Sequence, residues 1–154
     1  IITLHTNNTT YQMAVNENNF LSHLYYGNRL DDSAALEYGK VGYHTLMPLV
    51  YDGCNREYSP SVCPMEYSAY GCGDFRTTPL KVRFADGSSV CDLRFFEAQI
   101  LNAKPKLNGL PALHDEDAKS QTVEICLKDK VYDLRVYLLY TVFEEYDIDL
   151  GNLY

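Results

Sequence analysis

Residues 121–143 read QTVEICLKDKVYDLRVYLLYTVF and contain the clearest hairpin pattern in the chain. Apolar side chains alternate with polar ones through Val123, Ile125 and Leu127, and a second alternating run follows the charged turn at residues 128–130. The apolar face of that second run carries Leu134, Val136, Leu138, Tyr140 and Val142. A period of two is typical of half-buried β-strands, so the stretch predicts an antiparallel hairpin near the centre of the domain.

The same period recurs towards the N-terminus. Residues 9–15 alternate, and residues 20–26 form an apolar and aromatic run that stops at Gly27 and Asn28. Residues 80–84 and 90–100 flank an Asp86-Gly87 turn signal and predict a two-stranded ribbon. No segment has apolar residues at helical spacing over three turns. We therefore expect one all-β domain over residues 1–154, a large antiparallel β-sandwich with few or no helices.

Composition limits the class of protein and its partners. The chain has 154 residues, 46% hydrophobic and 22% charged, which fits one globular domain and excludes a collagen, a coiled coil or a disordered tail. Its formal charge of -8 disfavours nucleic acid and anionic membrane surfaces. No apolar run approaches the roughly 18 residues that cross a bilayer. We expect neutral or cationic partners, with no nucleic acid and no membrane.

The five cysteines bear on the cellular compartment. They are Cys54, Cys63, Cys72, Cys91 and Cys126, odd in number and without a C-x-x-C pair. The N-terminus has neither an initiator Met nor a basic signal region, so we expect a chain already trimmed at its start. This pattern predicts reduced thiols, without disulfides, in a cytoplasmic protein.

Residues 31–64 lose all periodicity, because three glycines and three prolines interrupt them. Irregular connections longer than about 12–15 residues are uncommon in compact domains and are usually functional or disordered. The tyrosines and the few charges of this segment favour order. It is the first place where a functional role is expected.

Catalytic and metal-binding patterns have little support. The acidic runs at 31–32, 115–117 and 144–145 contain sequence neighbours, which point apart or lie in solvated turns, so a solvated surface is favoured over a glycosidase carboxylate pair. The four histidines are far apart, and none has a metal-ligand spacing from another ligand. Phosphate-loop, dinucleotide and serine-hydrolase motifs are missing. We expect no catalytic residue, no metal and no cofactor in this chain.

Residues 66–76, EYSAYGCGDFR, leave two interpretations open. Gly71 and Gly73 permit a close backbone turn, and Asp74 and Arg76 follow at once. The two charges form an internal ion pair in a structural turn, or Gly73, Asp74 and Arg76 contact a polar ligand.

Six segments, in order along nearly the whole chain, resemble the N-terminal domain of family-36 glycoside hydrolases, the bacterial and fungal α-galactosidases. The segments are TYQMAV at 10–15, HLYYGNR at 23–29, EYSAYGCGDFR at 66–76, DLR at 92–94, KP at 104–105 with GLPA at 109–112, and LRV with YTVF between 134 and 143.

The resemblance implies a β-sandwich of the supersandwich type, which precedes a catalytic (β/α)8 barrel in a retaining α-galactosidase. The catalytic aspartates of that family lie in the barrel, so this chain is expected to be an inactive N-terminal domain. Residues 149–154 depart from the family pattern, and we expect truncation at the C-terminal edge. The implied partners are the barrel, an α-galactoside bound by the parent enzyme, and further subunits of a homo-oligomer, a tetramer in some members.

The resemblance also implies substrate-binding residues in the long irregular segment. In tetrameric members a loop of this domain offers an Asp and an Arg to the sugar in a neighbouring subunit. Arg56 holds the position of the Arg in an ungapped comparison. His44 stands at the position of the Asp, and Asp52 is the nearest carboxylate. We therefore expect Arg56 and Asp52 to contact substrate from the 44–64 loop.

Two other functions compete with this interpretation. A free-standing carbohydrate-binding β-sandwich would stack surface tyrosines on sugar rings, although such modules usually expose several coplanar aromatics and this chain lacks tryptophan. A purely structural domain would pack its tyrosine-rich face against another domain. Binding of galactose or raffinose by the isolated chain distinguishes the two.

Overall fold

Seven β-strands make up nearly all of the regular structure in the described part of the chain. The computed structural model describes residues 1–31, 60–102, 104–105, 120–144 and 146, and the backbone of 148–153. The strands are β1 Ile2–His5, β2 Thr9–Val15, β3 Leu21–Asn28, β4 Leu93–Leu101, β5 Ser120–Asp129, β6 Arg135–Phe143 and β7 Ile148–Leu153. The described residues add one 3-10 turn, Pro60–Val62, and no α-helix.

The first sheet has the order β1-β2-β3, with antiparallel neighbours. The polar run after β2 makes a tight turn, because the Asn16 side chain accepts hydrogen bonds from the backbone N–H groups of Asn18 and Phe20. Asn19 has a left-handed φ of 60°, a conformation that asparagine tolerates better than most residues. The interruption seen in the sequence is therefore the turn that joins the two strands.

The second sheet has the order β4-β5-β6-β7 and is antiparallel throughout. Its centre is the β5–β6 hairpin predicted from residues 121–143. The cross-strand neighbours Thr122 and Thr141 are buried, and their hydroxyls lie 2.9 Å apart, within hydrogen-bond distance. This pair satisfies two polar groups on the face opposite the main core.

The main core lies between the sheets. It joins Leu4, Met13 and Leu21 of the first sheet to the predicted apolar face of β5 and β6, which includes Ile125 and Leu138. Met13 and Ile125 are completely inaccessible to solvent. Two antiparallel sheets packed face to face form a β-sandwich, so the predicted fold class is confirmed.

Residues 80–84 correct one expectation, because they form no strand. The Asp86-Gly87 turn exists: the Phe84 N–H donates to the Ser88 carbonyl at 2.9 Å, and Gly87 has a φ of 86°. The alternation of Leu80, Val82 and Phe84 reflects packing against the core cluster. The ladder partner of β4 is β5, and β4 begins only at Leu93.

The two terminal strands were missed. β1 is only four residues long, too short for a clear period, and β7 contains Asp149, Gly151 and Asn152, which are poor strand formers. Pairing with β2 and β6 organises them. In the described ranges, no helix is long and apolar enough to cross a membrane.

Candidate functional site

The turn at residues 71–74 contains three consecutive left-handed residues. Gly71, Cys72 and Gly73 have φ values of 106°, 49° and 85°. Gly71 and Asp74 close the turn with two backbone hydrogen bonds of 3.0 Å. Glycine adopts such values without strain, whereas Cys72 is the non-glycine residue held there by its neighbours. The predicted glycines thus shape the backbone that presents Asp74.

Asp74 and Arg76 form a bidentate ion pair. The Arg76 Nε donates to Asp74 Oδ1 at 2.9 Å, and its Nη2 donates to Oδ2 at 2.7 Å. Ser68 donates a further hydrogen bond of 2.7 Å to Oδ2. Burial alone would raise the pKa of Asp74, but the hydrogen bonds from Arg76 and Ser68 outweigh it and hold the pKa below its ordinary value. The carboxylate is therefore ionised and fully engaged at neutral pH.

Arg76 also ties the turn to the end of the irregular segment. Its Nη1 donates to the Cys63 carbonyl at 2.9 Å, and its Nη2 donates to the Pro60 carbonyl at 3.1 Å. One guanidinium thus joins two chain segments, which is the geometry that a planar fork of donors allows. Of the two interpretations of this motif, the internal ion pair is present in the structure. A ligand contact of Gly73, Asp74 and Arg76 stays a prediction.

A small cavity lies beside this turn. Its lining includes Phe20, Tyr67, Cys72, Asp74 and Cys91, and its volume is about 10 Å³. A cavity needs roughly 10–15 Å³ of this kind of volume to hold one water molecule. The space beside Asp74 therefore admits at most a water and not a sugar ring.

Glu66 is the centre of a second polar cluster, which crosses between the sheets. Its Oε1 accepts hydrogen bonds from the phenols of Tyr11 on β2 and Tyr140 on β6, both at 2.6 Å. The Nδ1 of His23 on β3 lies 3.6 Å from Oε2. The Glu66 side chain is 9% exposed, whereas that of His23 is 39% exposed. One carboxylate therefore links both sheets, and the cluster reaches solvent at His23.

The tyrosines of this cluster continue towards the surface. The rings of Tyr11 and Tyr140 stack with centroids 5.9 Å apart, and Tyr11 meets exposed Tyr26 edge to face at the same distance. Burial, followed by the charge of Glu66 and its hydrogen bond, raises the pKa of Tyr140 far above its ordinary value. Tyr140 therefore remains a protonated donor to Glu66 across the physiological range.

The DLR segment forms a third polar connection. Arg94 donates from Nε and Nη2 to the two oxygens of Asp92, at 2.5 and 3.1 Å, and from Nη1 to the Asn18 carbonyl at 2.6 Å. Its guanidinium also lies over the Phe20 ring, 3.7 Å from the centroid. These contacts fasten β4 to the β2–β3 turn, so the role of the segment is structural.

The four cysteines that the structure describes are buried or, for Cys72, half-buried. Among the described residues, Cys63, Cys72, Cys91 and Cys126 form no disulfide, and Cys54 lies outside those residues. Burial raises the pKa of Cys72, Cys91 and Cys126, which lowers their thiolate fraction. Over the described ranges, no three ligand-type side chains converge on a metal position. The described residues also exclude Arg56, Asp52 and His44, so the roles predicted for them stay predictions.

Comparison with known families identifies the domain. The family model described as "Glycosyl hydrolase family 36 N-terminal domain" matches residues 19–148, most of the chain. The chain belongs to glycosyl hydrolase family 36. This confirms the resemblance drawn from the six sequence segments.

Relatives in family 36 agree with this assignment. The chain is 40% identical over 150 residues to the bifunctional alpha-galactosidase/sucrose kinase AgaSK of Mediterraneibacter gnavus, covering 96% of the chain and 16% of that protein. The solved galactosidase domain of AgaSK superposes with a TM-score of 0.88 at 36% identity, and the match covers 98% of this chain and 21% of the AgaSK chain. A variant of alpha-galactosidase AgaA from Geobacillus stearothermophilus, solved in complex with raffinose, superposes with a TM-score of 0.86 at 30% identity. The match covers 99% of this chain and 21% of the AgaA chain.

The chain therefore spans about a fifth or less of the length of these family 36 relatives. Within that fifth, sequence reasoning missed the Glu66 cluster. Glu66 stood in a quoted motif, but its two partners lie 55 and 74 residues away along the chain. The one signal was that Tyr11 and Tyr140 both fall on the core faces of their strands, where a phenol needs a polar partner.

Proposed function

We propose that this chain is the non-catalytic N-terminal domain of a retaining α-galactosidase, an enzyme that removes terminal α-galactosyl residues from oligosaccharides. The observation that carries the proposal is the match of nearly the whole chain to the N-terminal fifth of α-galactosidases, at 40% identity to AgaSK. In this role the domain supports the catalytic barrel and the assembly of subunits in a cytoplasmic enzyme. The odd number of cysteines and the lack of a disulfide among the described ones favour that compartment.

The geometry of the acidic side chains supports a non-catalytic role. A retaining glycosidase needs two carboxyl groups roughly 5–5.5 Å apart that face a sugar. Among the described residues, the buried or half-buried carboxylates already have partners within the fold: Glu66 binds two phenols, Asp74 binds Arg76, and Asp92 binds Arg94. Glu124, which is half-buried, accepts a hydrogen bond from the Gln99 side chain. Asp129 accepts hydrogen bonds from the backbone N–H groups of Asp92, Val131 and Tyr132.

We expect the isolated chain to release no nitrophenol from a nitrophenyl α-galactoside, whereas the complete polypeptide hydrolyses it. The physical reason is that the two catalytic carboxylates lie in the barrel. Hydrolysis is followed by absorbance at equal molar concentrations of the two proteins. Turnover by the isolated chain that disappears when one of its own carboxylates is replaced would overturn the proposal.

We also propose that Arg56 and Asp52 contact the galactoside bound by a neighbouring subunit. The ungapped comparison with the family assigns Arg56 to the position of the sugar-binding arginine, and a guanidinium can bind two sugar hydroxyls or orient a carboxylate that does so. The anchoring of Pro60 and Cys63 by Arg76 supports this role, since it fixes the chain four residues after Arg56. The competing role for Arg56 is a surface ion pair with Glu57 or Asp52, worth about 0–1 kcal/mol.

Arg56→Ala in the complete enzyme is expected to lower kcat/KM for α-galactosides at least tenfold, about 1.4 kcal/mol of transition-state binding. The oligomer should stay intact, which size-exclusion chromatography with light scattering checks. Arg83→Ala, at an exposed position outside the loop, is the matched control. An unchanged kcat/KM in Arg56→Ala would mean that Arg56 does not contact the substrate and has only the competing role in a surface ion pair.

A further inference from the structure

A wide dent lies between the turn at residues 84–88 and the loop that joins β5 to β6. Its volume is about 490 Å³, and it is widely open to solvent. The floor is apolar, and two carboxylates stand among its lining residues, which are Phe84, Ala85, Asp86, Tyr132, Asp133 and Leu134. None of these residues belongs to the polar clusters described above.

The floor of the dent is a stacked pair of aromatic rings. The Phe84 and Tyr132 centroids are 3.6 Å apart, and their planes differ by 11°. Phe84 packs against the core cluster, so Tyr132 is the outer member of the stack. Tyr132 is half-buried and lines the dent. A flat aromatic face is thus offered to whatever enters.

Hydrogen bonds fix the orientation of this outer ring. The Tyr132 hydroxyl lies 2.5 Å from Asp86 Oδ2, to which it donates, and 2.7 Å from Ser88 Oγ. Asp86 is held in turn, because its Oδ1 accepts the Ser88 N–H at 2.9 Å. A ring that is already ordered loses little conformational entropy when a ligand stacks on it.

We propose that this dent binds a neutral pyranose ring, with the Tyr132 face beneath the sugar and Asp86 and Asp133 accepting its hydroxyls. A pyranose has an apolar C–H face and a rim of hydroxyl donors, which match an aromatic floor with acceptors at its edge. Among the described residues, no cationic side chain lines the dent, and the chain carries a formal charge of -8, so anions are disfavoured.

The charges at the rim favour a polyol over a cation. Asp86 already accepts hydrogen bonds from the Ser88 N–H and from the Tyr132 hydroxyl. Asp133 lies 3.8 Å from the ammonium group of Lys128. Their negative charge is thereby partly offset, while oxygen lone pairs remain for hydroxyl donors. The sugar contacts proposed here are Tyr132, Asp86 and Asp133. This proposal can therefore fail without affecting the active-site contact proposed for Arg56 and Asp52.

The test is calorimetric titration of raffinose into the full-length protein saturated with 1-deoxygalactonojirimycin, an iminosugar bound by a related AgaA variant, so that the galactose site is filled. We expect raffinose to bind at the dent, with a lower affinity than a ligand has for the galactose site. Tyr132→Ala should weaken this binding at least about tenfold, equivalent to 1.4 kcal/mol. Tyr132→Phe keeps the aromatic face and should retain most of the affinity.

Tyr26→Ala is the matched control, since it removes an exposed tyrosine from the first sheet and should leave raffinose binding at the dent unchanged. Asp133→Asn keeps an acceptor oxygen, so this variant should bind raffinose nearly as well as the wild type. A site for cations would instead bind tetramethylammonium, and Asp133→Asn would abolish that binding. Three results overturn the proposal: no raffinose binding once the galactose site is filled, equal binding by Tyr132→Ala and Tyr26→Ala, or tetramethylammonium binding without raffinose binding. Far-ultraviolet circular dichroism of Tyr132→Ala establishes that its fold is kept.

Discussion

Replacing Glu66 by alanine is expected to lower the free energy of unfolding by about 3 kcal/mol. Two mostly buried phenols, of Tyr11 and Tyr140, lose their common acceptor, and each buried donor left without a partner costs roughly 1–3 kcal/mol. The loss is large because the contact joins one sheet to the other. Urea unfolding followed by circular dichroism measures it.

Two further variants make this prediction specific. Tyr140→Phe removes one of the two hydrogen bonds and should cost about 1 kcal/mol. Glu97→Ala removes a carboxylate from an exposed position on β4 and should change stability by less than about 0.5 kcal/mol. If Glu66→Ala is no more destabilising than Glu97→Ala, the cluster does not hold the sheets together.

Replacing Arg76 by alanine is expected to cost about 2 kcal/mol at neutral pH. The change leaves Asp74, which is 3% exposed, without its counter-charge, and breaking a buried pair typically costs about 3–5 kcal/mol. We expect the lower figure because the Arg76 side chain is 38% exposed and solvent screens part of the interaction. Arg76→Lys keeps the charge but loses the fork of donors and should recover only part of the loss.

The pH dependence gives an independent check on the Arg76 result. The pKa of Asp74 is lower in the folded state than its ordinary value of about 3.9, so its contribution to stability is present above that value and is lost as pH falls through the folded pKa. The difference between the wild type and Arg76→Ala should therefore shrink below about pH 4. A constant difference from pH 7 to pH 3 would contradict the assigned role of the ion pair.

The local part of the fold could be predicted from sequence, and the long-range part could not. Alternation at Val123, Ile125 and Leu127 depends only on neighbouring residues, and it correctly predicted the hairpin and its buried face. Alternation at residues 80–84 has the same appearance but no strand partner, because register is set by tertiary pairing. A periodic pattern reports which side chains are buried and not which backbone groups pair.

The candidate site divides in the same way. Asp74 and Arg76 are two residues apart, so their ion pair was foreseeable from residues 66–76. The contacts of Arg76 with Pro60 and Cys63 could not be predicted, because every residue has a backbone carbonyl group and the sequence does not show which one is the acceptor. The stack of Phe84 on Tyr132 joins residues 48 positions apart and follows from the meeting of two loops.

The sequential order of strands within each described sheet has a consequence for folding. Strands β1 to β3, and likewise β4 to β7, each pair with the next strand along the chain. Short loop closures carry a small entropic cost, so the meanders of β1 to β3 and of β5 to β7 can form early from contacts local in sequence. β4 joins β5 only across residues 102–119. The encounter of the two meanders is the step with large sequence separation. The acceptor oxygen of Glu66 binds one phenol from each meander. Both hydrogen bonds can therefore form only when the two sheets have packed in the correct relative position.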